Sequence, residues 1–251
     1  MQNNKPAIAI SNLRQRYNSN DADTLKGIDL IIEKGAFYGV LGPNSAGKTT
    51  MISIICGLLK FQSGQVFING QEIKGAKTKT QYKIGLVPQE VALYPSLTVR
   101  ENISYFGQMH GIYSKQLTER VEHLLYQLQL NQHADKRINR CSGGIKRRTN
   151  LAAGMIHQPQ ILILDEPTVG VDAQSRNLIF EYLTALNQEG TTILYTTHYI
   201  SEAEELCSLI SIIDEGIIVE SGTPKSLIGK HKGCNDLGDV FLKITGKALR
   251  E

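Results

Sequence analysis

The chain has 251 residues, 41% of them hydrophobic, and sets 27 basic against 24 acidic side chains for a formal charge of +3. That length and apolar content allow a sizeable core in one α/β domain or two small lobes, and they exclude a disordered or fibrous chain. So balanced a charge makes no electrostatic case for a nucleic-acid partner, while a weakly basic surface is compatible with work near an anionic membrane. The four cysteines, Cys56, Cys141, Cys207 and Cys234, form neither a C-x-x-C pair nor a zinc spacing and read as free thiols in a reducing cytoplasm. The opening "MQNNKPAIAI" has no basic leader ahead of an apolar run, so the protein is expected to stay inside the cell. No segment reaches the roughly 20 apolar residues that span a bilayer, so any membrane role is expected to be peripheral.

In chain order, "AIAISNLRQRY" and "IDLIIEKGAFYGVLG" carry period-2 patches separated by the polar "NSNDAD", which predicts an antiparallel β layer at the N-terminus. Within the second stretch, "AFYGVLG" reads as a short buried strand running through a glycine-rich loop into "KTTMISIICGLL", whose apolar spacing suits a helix. "GQVFING" is a strand ending in a turn, and "YKIGLVPQ" a strand broken by Pro88. A helical lobe is expected over about 90–155. In it Thr98 and Glu101 form a T-x-x-E capping box, and Val121, Leu124, Leu125 and Leu128 share one helix face. "ILILDEPT" then returns as an apolar strand of parallel-sheet type, "RNLIFEYLTAL" as a helix, and "TTILYTTH" as a strand followed by an S-x-x-E cap at Ser201 and Glu204. This alternation predicts a doubly wound α/β core over 1–235. A docking helix is expected over 236–251, with Leu237, Val240, Phe241, Ile244 and Ala248 on one stripe.

The stretch "GPNSAGKTT" fits G-x-x-x-x-G-K-[ST] from Gly42 to Thr49. Gly42 and Gly47 let the backbone of Pro43, Asn44, Ser45 and Ala46 curl, so that successive N–H groups point at a β-phosphate, helped by the dipole of the following helix. Lys48 adds a mobile cation, Thr49 a hydroxyl for Mg²⁺, and Thr50 a reach to the α-phosphate. "ILILDEPT" ends in adjacent carboxylates at a strand terminus, where open α/β sheets place ligands. Asp165 would hold Mg²⁺ through its water shell, and Glu166 would polarise and orient the attacking water.

Three further residues gain meaning from their position relative to these motifs. Gln89 opens the lobe and is placed to touch Mg²⁺ or the water, though alone it reads equally as a loop glutamine. His198 closes "TTILYTTH", where it either contacts a γ-phosphate or serves structure. Tyr17, in the first β layer, either stacks on adenine or simply packs. Finally, "CSGGIKRR" places Ser142, Gly143 and Gly144 ahead of a helix as a second anion site. One nucleotide has no obvious use for both loops, and a head-to-tail pair of chains would let each complete its partner's site. The other reading of this stretch is a plain N-cap with Lys146, Arg147 and Arg148 on a solvated face.

The combination resembles the nucleotide-binding subunit of ATP-binding-cassette (ABC) transporters over essentially the whole length, with the motifs in the family's order. By that resemblance the fold is a P-loop core with an antiparallel β layer and an inserted helical lobe. Tyr17 would be the adenine-stacking aromatic, Gly42 to Thr50 the Walker A loop, and Gln89 the Q-loop residue. Cys141 to Ile145 would be the signature, Asp165 and Glu166 Walker B, Val171 and Asp172 the D-loop, and His198 the switch histidine. The resemblance also implies ATP and Mg²⁺ as cofactors, Lys48 among the catalytic residues, and Thr49, Gln89 and Asp165 around the metal. It further implies an ATP-sandwich dimer, docked on separately encoded permease subunits at the inner face of the plasma membrane.

The sequence departs from the family pattern at Cys141 and Ile145 in place of the usual leucine and glutamine, at Ser45 where many members have glycine, and in "TVGVDAQ" around the D-loop. "QEVALYPSLTVRENI" and "GDVFLKITG" look like the subgroup serving ABC-2 membrane subunits, often exporters. The apolar stretch 91–97 either lines a groove for a short helix of that partner or fills the interface between lobes. A soluble ABC ATPase acting on ribosomes or nucleic acid is the alternative. It is disfavoured by the single Walker set and by the lack of a heptad run between Lys48 and Asp165.

Overall fold

The computed structural model describes residues 5–18, 22–73 and 83–246. Parts of three expected features, at residues 19–21, Tyr82 and Ala248, lie outside them. Two sheets organise the rest. The first has order β2-β1-β4-β5, made of β1 (Ile8–Gln15), β2 (Leu25–Ile32), β4 (Ser63–Ile68) and β5 (Gln71–Glu72), all antiparallel. Period-2 alternation buries Ile8, Ile10, Ile28, Leu30 and Ile32 and leaves Ile31 exposed, and a register shift at Asn12, whose φ is 47°, lets Leu13 be buried as well. Asn69 and Gly70 both take positive φ, 50° and 75°, the turn geometry that returns β4 into β5.

The second sheet has order β10-β9-β3-β8-β7-β6. It comprises β3 (Phe37–Leu41), β6 (Ile84–Val87), β7 (Ile161–Asp165), β8 (Thr192–Thr197), β9 (Leu209–Asp214) and β10 (Ile217–Gly222). All pairings are parallel except that of β10 with β9. Strands β3, β7 and β8 are buried at every residue, which explains why they read as unbroken apolar runs. One face packs with α1 (Lys48–Ile55) and the antiparallel layer around Met51, Ile54, Ile68 and Ile163. The other face packs with the remaining helices around Leu164, Ile193 and Phe180.

Parallel register brings the carboxyl ends of these strands into line: Leu41 pairs with Thr197, and Asp165 with Thr196. The loops that leave there are consequently neighbours in space, although they come from distant parts of the chain.

The helical lobe is inserted between β6 and β7 as α2 (Val99–Met109), α3 (Ser114–Gln127) and α4 (Gly143–Met155). Its capping box forms as expected. Glu101 N–H donates to the Thr98 hydroxyl at 3.1 Å, and Thr98 N–H to the Glu101 carboxylate at 2.8 Å. Val121, Leu124, Leu125 and Leu128 are all buried.

After α5 (Ala173–Gln188) comes α6 (Ile200–Leu206), whose N-cap is Tyr199 and not Ser201. The expected S-x-x-E cap is therefore incorrect, because the helix already includes Ser201. Glu204 instead accepts from Leu237 N–H at 2.8 Å and fixes the start of the last helix. Following α7 (Pro224–Lys230), helix α8 spans Leu237–Thr245, N-capped by Asp236 and stopped by Gly246 at φ 70°. Leu237, Val240 and Phe241 are fully buried against the lobe-side core, with Ile244 packed beside them. Removing the Phe241 ring as Phe241→Ala is expected to cost about 3–5 kcal/mol in urea unfolding. A cost below about 1 kcal/mol would mean that α8 leaves the core in solution.

Candidate nucleotide site

Gly42 to Gly47 connects the end of β3 to the start of α1. A Cβ on Gly42 would fall 2.3 Å from the Ile213 carbonyl oxygen, so the backbone passes there only because the residue is glycine. Gly47 precedes the helix at φ 105°. Helix α1 has no side-chain cap and no acidic residue in its first turn, which leaves its terminal N–H groups for an anion. Ser45 sits at φ 70°, so the residue found in place of the common glycine adopts the left-handed conformation that glycine favours.

Lys48 is 5% exposed. Its ammonium donates to the carbonyls of Gly42 at 2.8 Å and Pro43 at 3.0 Å and pairs with Glu166 Oε1 at 2.9 Å. The Thr49 hydroxyl donates to Asp165 Oδ2 at 2.7 Å, and the Thr196 hydroxyl donates to Asp165 Oδ1 at 2.6 Å. Glu166 lies just past β7 at φ 46°, a conformation costly for a non-glycine residue. Its backbone N–H holds it there by donating to the Thr196 carbonyl at 3.1 Å. Its second oxygen, Oε2, accepts from Gln89 Nε2 and His198 Nδ1, each at 3.0 Å. Since a carboxylate only accepts, Nδ1 carries the proton.

The structure thus gathers Lys48, Thr49, Gln89, Asp165, Glu166 and His198 into one hydrogen-bonded cluster. Tyr17 stands two residues beyond the end of β1, outside the strand in which it was expected. It is 61% exposed, and its hydroxyl shares a 2.9 Å hydrogen bond with that of Thr50. An exposed ring tethered to the phosphate loop is free to stack.

The signature residues lie elsewhere. Ser142 caps α4, accepting from Ile145 N–H at 3.5 Å, and it and Gly143 are exposed. Gly144 packs so closely on the start of α5 that a Cβ would fall 2.2 Å from Ser175 Oγ and 2.9 Å from Asp172 Oδ2. Asp172 caps α5, and hydrogen bonds from Ser175, the backbone N–H foremost, hold its carboxyl below the usual range. Among the described residues no hydrogen bond joins Ser142, Gly143 or Gly144 to the phosphate loop.

Lys146, Arg147 and Arg148 do not form a solvated face. Arg147 is buried and donates to the carbonyls of Gln89 and Val169, the latter at 3.2 Å, while Arg148 donates to those of Leu128 and Gln129. Sequence reasoning also missed Thr196, which orients Asp165, and Asn150, which accepts from Ala92 N–H at 3.1 Å and donates to the Pro88 carbonyl at 3.4 Å. Another buried carboxylate, beyond Asp165 and Glu166, was unforeseen as well. Glu202 accepts from the hydroxyls of Thr168 at 2.6 Å, Thr197 at 2.8 Å and Tyr195 at 3.0 Å. The only signal for Thr196 and Thr197 was their position in an otherwise apolar strand.

A phosphate loop facing paired carboxylates across a parallel sheet defines a P-loop nucleoside triphosphatase of the α/β class, here with an antiparallel layer and a helical insertion. Residues 25–169 match the ABC transporter family. The linearmycin resistance ATP-binding protein LnrL of Bacillus subtilis (strain 168) is 42% identical over 97% of this chain and 76% of its own length. The Nod factor export ATP-binding protein I of Cupriavidus metallidurans is 39% identical over 93% and 76%. Among solved structures, an ATP-binding subunit of an ABC transporter superposes with a TM-score of 0.85 at 23% identity, covering 95% of this chain and 99% of that one. The dimeric bacterial ABC transporter cassette MJ0796 gives 0.79 at 28%, covering 86% and 98%. The chain belongs to the ABC transporter family, as an ATP-binding and ATP-hydrolysing subunit.

The thiols carry no part of this site. Burial pushes Cys56 from the ordinary 9.0 up to about 12 and raises Cys141 and Cys207 as well. Because the folded state retains the Cys56 proton, this contribution to stability is constant below about pH 9 and declines as pH rises towards about 12. In native protein at pH 8, mass spectrometry after iodoacetamide treatment should find Cys56, Cys141 and Cys207 unmodified and only the half-buried Cys234 labelled.

Proposed function

We propose that two such cassettes close head to tail around two ATP molecules and drive separately encoded membrane subunits, exporting a substrate. The observation that carries this reading is Glu166, a buried carboxylate held at once by Lys48, Gln89 and His198. In the proposed site the triphosphate lies over the N–H groups of residues 44–50, with Lys48 moving from Glu166 to the β- and γ-phosphates. Tyr17 stacks on the adenine.

The Thr49 hydroxyl, the Asp165 carboxylate and the Gln89 amide oxygen are all hard oxygen donors, the set that Mg²⁺ takes, and the first two already lie 2.7 Å apart. When bound there, the ion would neutralise charge on the β- and γ-phosphates. Glu166 accepts a hydrogen bond from the attacking water and aims the water oxygen in line with the γ-phosphorus while His198 steadies that carboxylate. The water oxygen bonds to the phosphorus as the bond to the β–γ bridging oxygen breaks, ADP leaves with that oxygen, and one water proton passes by way of Glu166 to solvent. Ser142, Gly143 and Gly144 of the second chain supply donors to the same γ-phosphate. Support comes from the exposure of Ser142 and Gly143 and from the dimeric form of the MJ0796 cassette.

The groove that receives the membrane subunit runs between the lobe and the core. A cavity of about 250 Å³ is lined by Leu58, Leu86, Ala92, Phe106, His110 and Ala153. Leu93 packs into the lobe, whereas Val91 and Tyr94 are exposed, and the Tyr94 ring meets Tyr105 edge-on at 4.8 Å. The stretch 91–97 therefore fills the interior with one residue and offers others to a short apolar helix. Among the described residues no helix is long and apolar enough to cross a membrane, so attachment to its inner face is through that partner. Outward transport is proposed because the relatives named above serve linearmycin resistance and Nod factor export.

Glu166→Gln should lower the hydrolysis rate about 100-fold or more while ATP affinity stays within a few-fold, and ATP should then hold the variant as a dimer in gel filtration. Normal turnover would remove Glu166 from its role. Ser142→Glu should leave ATP binding to the monomer intact and abolish that dimer peak, and a dimer that persists would refute the trans arrangement.

A further inference from the structure

Arg147 is 8% exposed, and among the described residues no carboxylate pairs with it. Burying an unpaired guanidinium is unfavourable, and apolar residues of similar volume are commonly at least as stabilising in such positions. Its hydrogen bonds identify what it is for. From α4, five residues beyond Ser142, it donates through Nη1 to the Gln89 carbonyl and through Nη2 to the Val169 carbonyl. Each of those backbone segments leads directly to Glu166: the Gln89 side chain donates to Glu166 Oε2, and Val169 N–H donates to the Glu166 carbonyl at 3.4 Å. One planar group thus clasps the chain on both sides of the carboxylate. Asn150, one turn further along, fastens the same 88–92 segment to α4 but does not reach the Glu166–Val169 turn.

We infer that Arg147 is a positioning residue, which transmits the placement of the signature helix of a chain to the water-orienting carboxylate of that same chain. A shift of α4, whose exposed end is Ser142, pulls Gln89 and the turn after Glu166 together, because the guanidinium fork fixes the distance between their carbonyls. The inference rests on the role proposed for Glu166.

Full-length Arg147→Met and Arg147→Lys are compared with the wild type in steady-state ATP hydrolysis, with rates divided by the number of ATP-binding sites. The methionine variant is expected to lose about 10-fold or more in kcat with KM changed less than about 3-fold, since it keeps the volume and loses both donors. Lysine has a single donor head and should recover part of that loss. Combining Arg147→Met with Gln89→Ala should cost no more than the larger of the two single losses, as expected for residues acting through one carboxylate. Wild-type kcat in Arg147→Met, a change confined to KM, or losses that multiply in the double variant would overturn the inference. If the methionine variant does not fold, lysine decides it: lowered kcat at constant KM supports the link, and wild-type kcat removes it. Glu166→Gln is assayed alongside. Turnover that survives there defeats the Glu166 reading itself, whereas loss there with normal Arg147→Met defeats only the Arg147 link.

Discussion

The buried carboxylate of Glu166 is the group on which the rest of the site depends. Three donors converge on it from distant parts of the chain: Lys48 at the start of α1, Gln89 after β6 and His198 after β8. Left alone in an apolar setting, a carboxylate costs several kcal/mol, and deleting one member of such a buried set typically costs about 3–5 kcal/mol. Because losing any one donor leaves that buried charge uncompensated, the three loops depend on one another. The cluster forms because parallel pairing sets Leu41, Thr197, Thr196 and Asp165 side by side, so that every loop leaving the sheet at that edge meets the others.

The helical lobe leaves the sheet at this edge, after β6, and re-enters it at the opposite edge, at the start of β7. Its first segment starts beside Gln89, close to the carboxylates, whereas its last helix leads to Ile161 at the far end of β7. Arg147 and Asn150 tie α4 to residues 88–92, so lobe and loop form one mechanical unit. Close to His198, Glu202 gathers the hydroxyls of Thr168, Tyr195 and Thr197, joining the turn after Glu166 to α6. Helix α8 in turn reaches that region through the hydrogen bond between Leu237 and Glu204.

Much of this was legible before any coordinates, for physical reasons. Strands buried on both faces must be continuously apolar, so β3, β7 and β8 declared themselves, as did the glycine loop that only a strand-to-helix turn accommodates. Thr98 and Glu101 identified a helix start because the capping box is a local device. The failures arose where local pattern competes with tertiary placement. Ser201 and Glu204 have the spacing of a capping box, yet Glu204 is used by a segment 33 residues away. Lys146-Arg147-Arg148 has the charge density of a solvated surface, and only the fold shows that two of the three cations reach inward to carbonyls. Tyr17 shares the polarity of the strand before it but falls beyond its last ladder pair.

Cys141 and Ile145, the two signature letters at which this chain is unusual, both point into the core, with 8% and 7% exposure. What this segment turns outward is the Ser142 hydroxyl and the bare backbone of Gly143. In the head-to-tail pairing proposed above, the unusual letters would meet the core of their own chain and not the partner, and would leave any choice between self-pairing and mixed pairing to other residues.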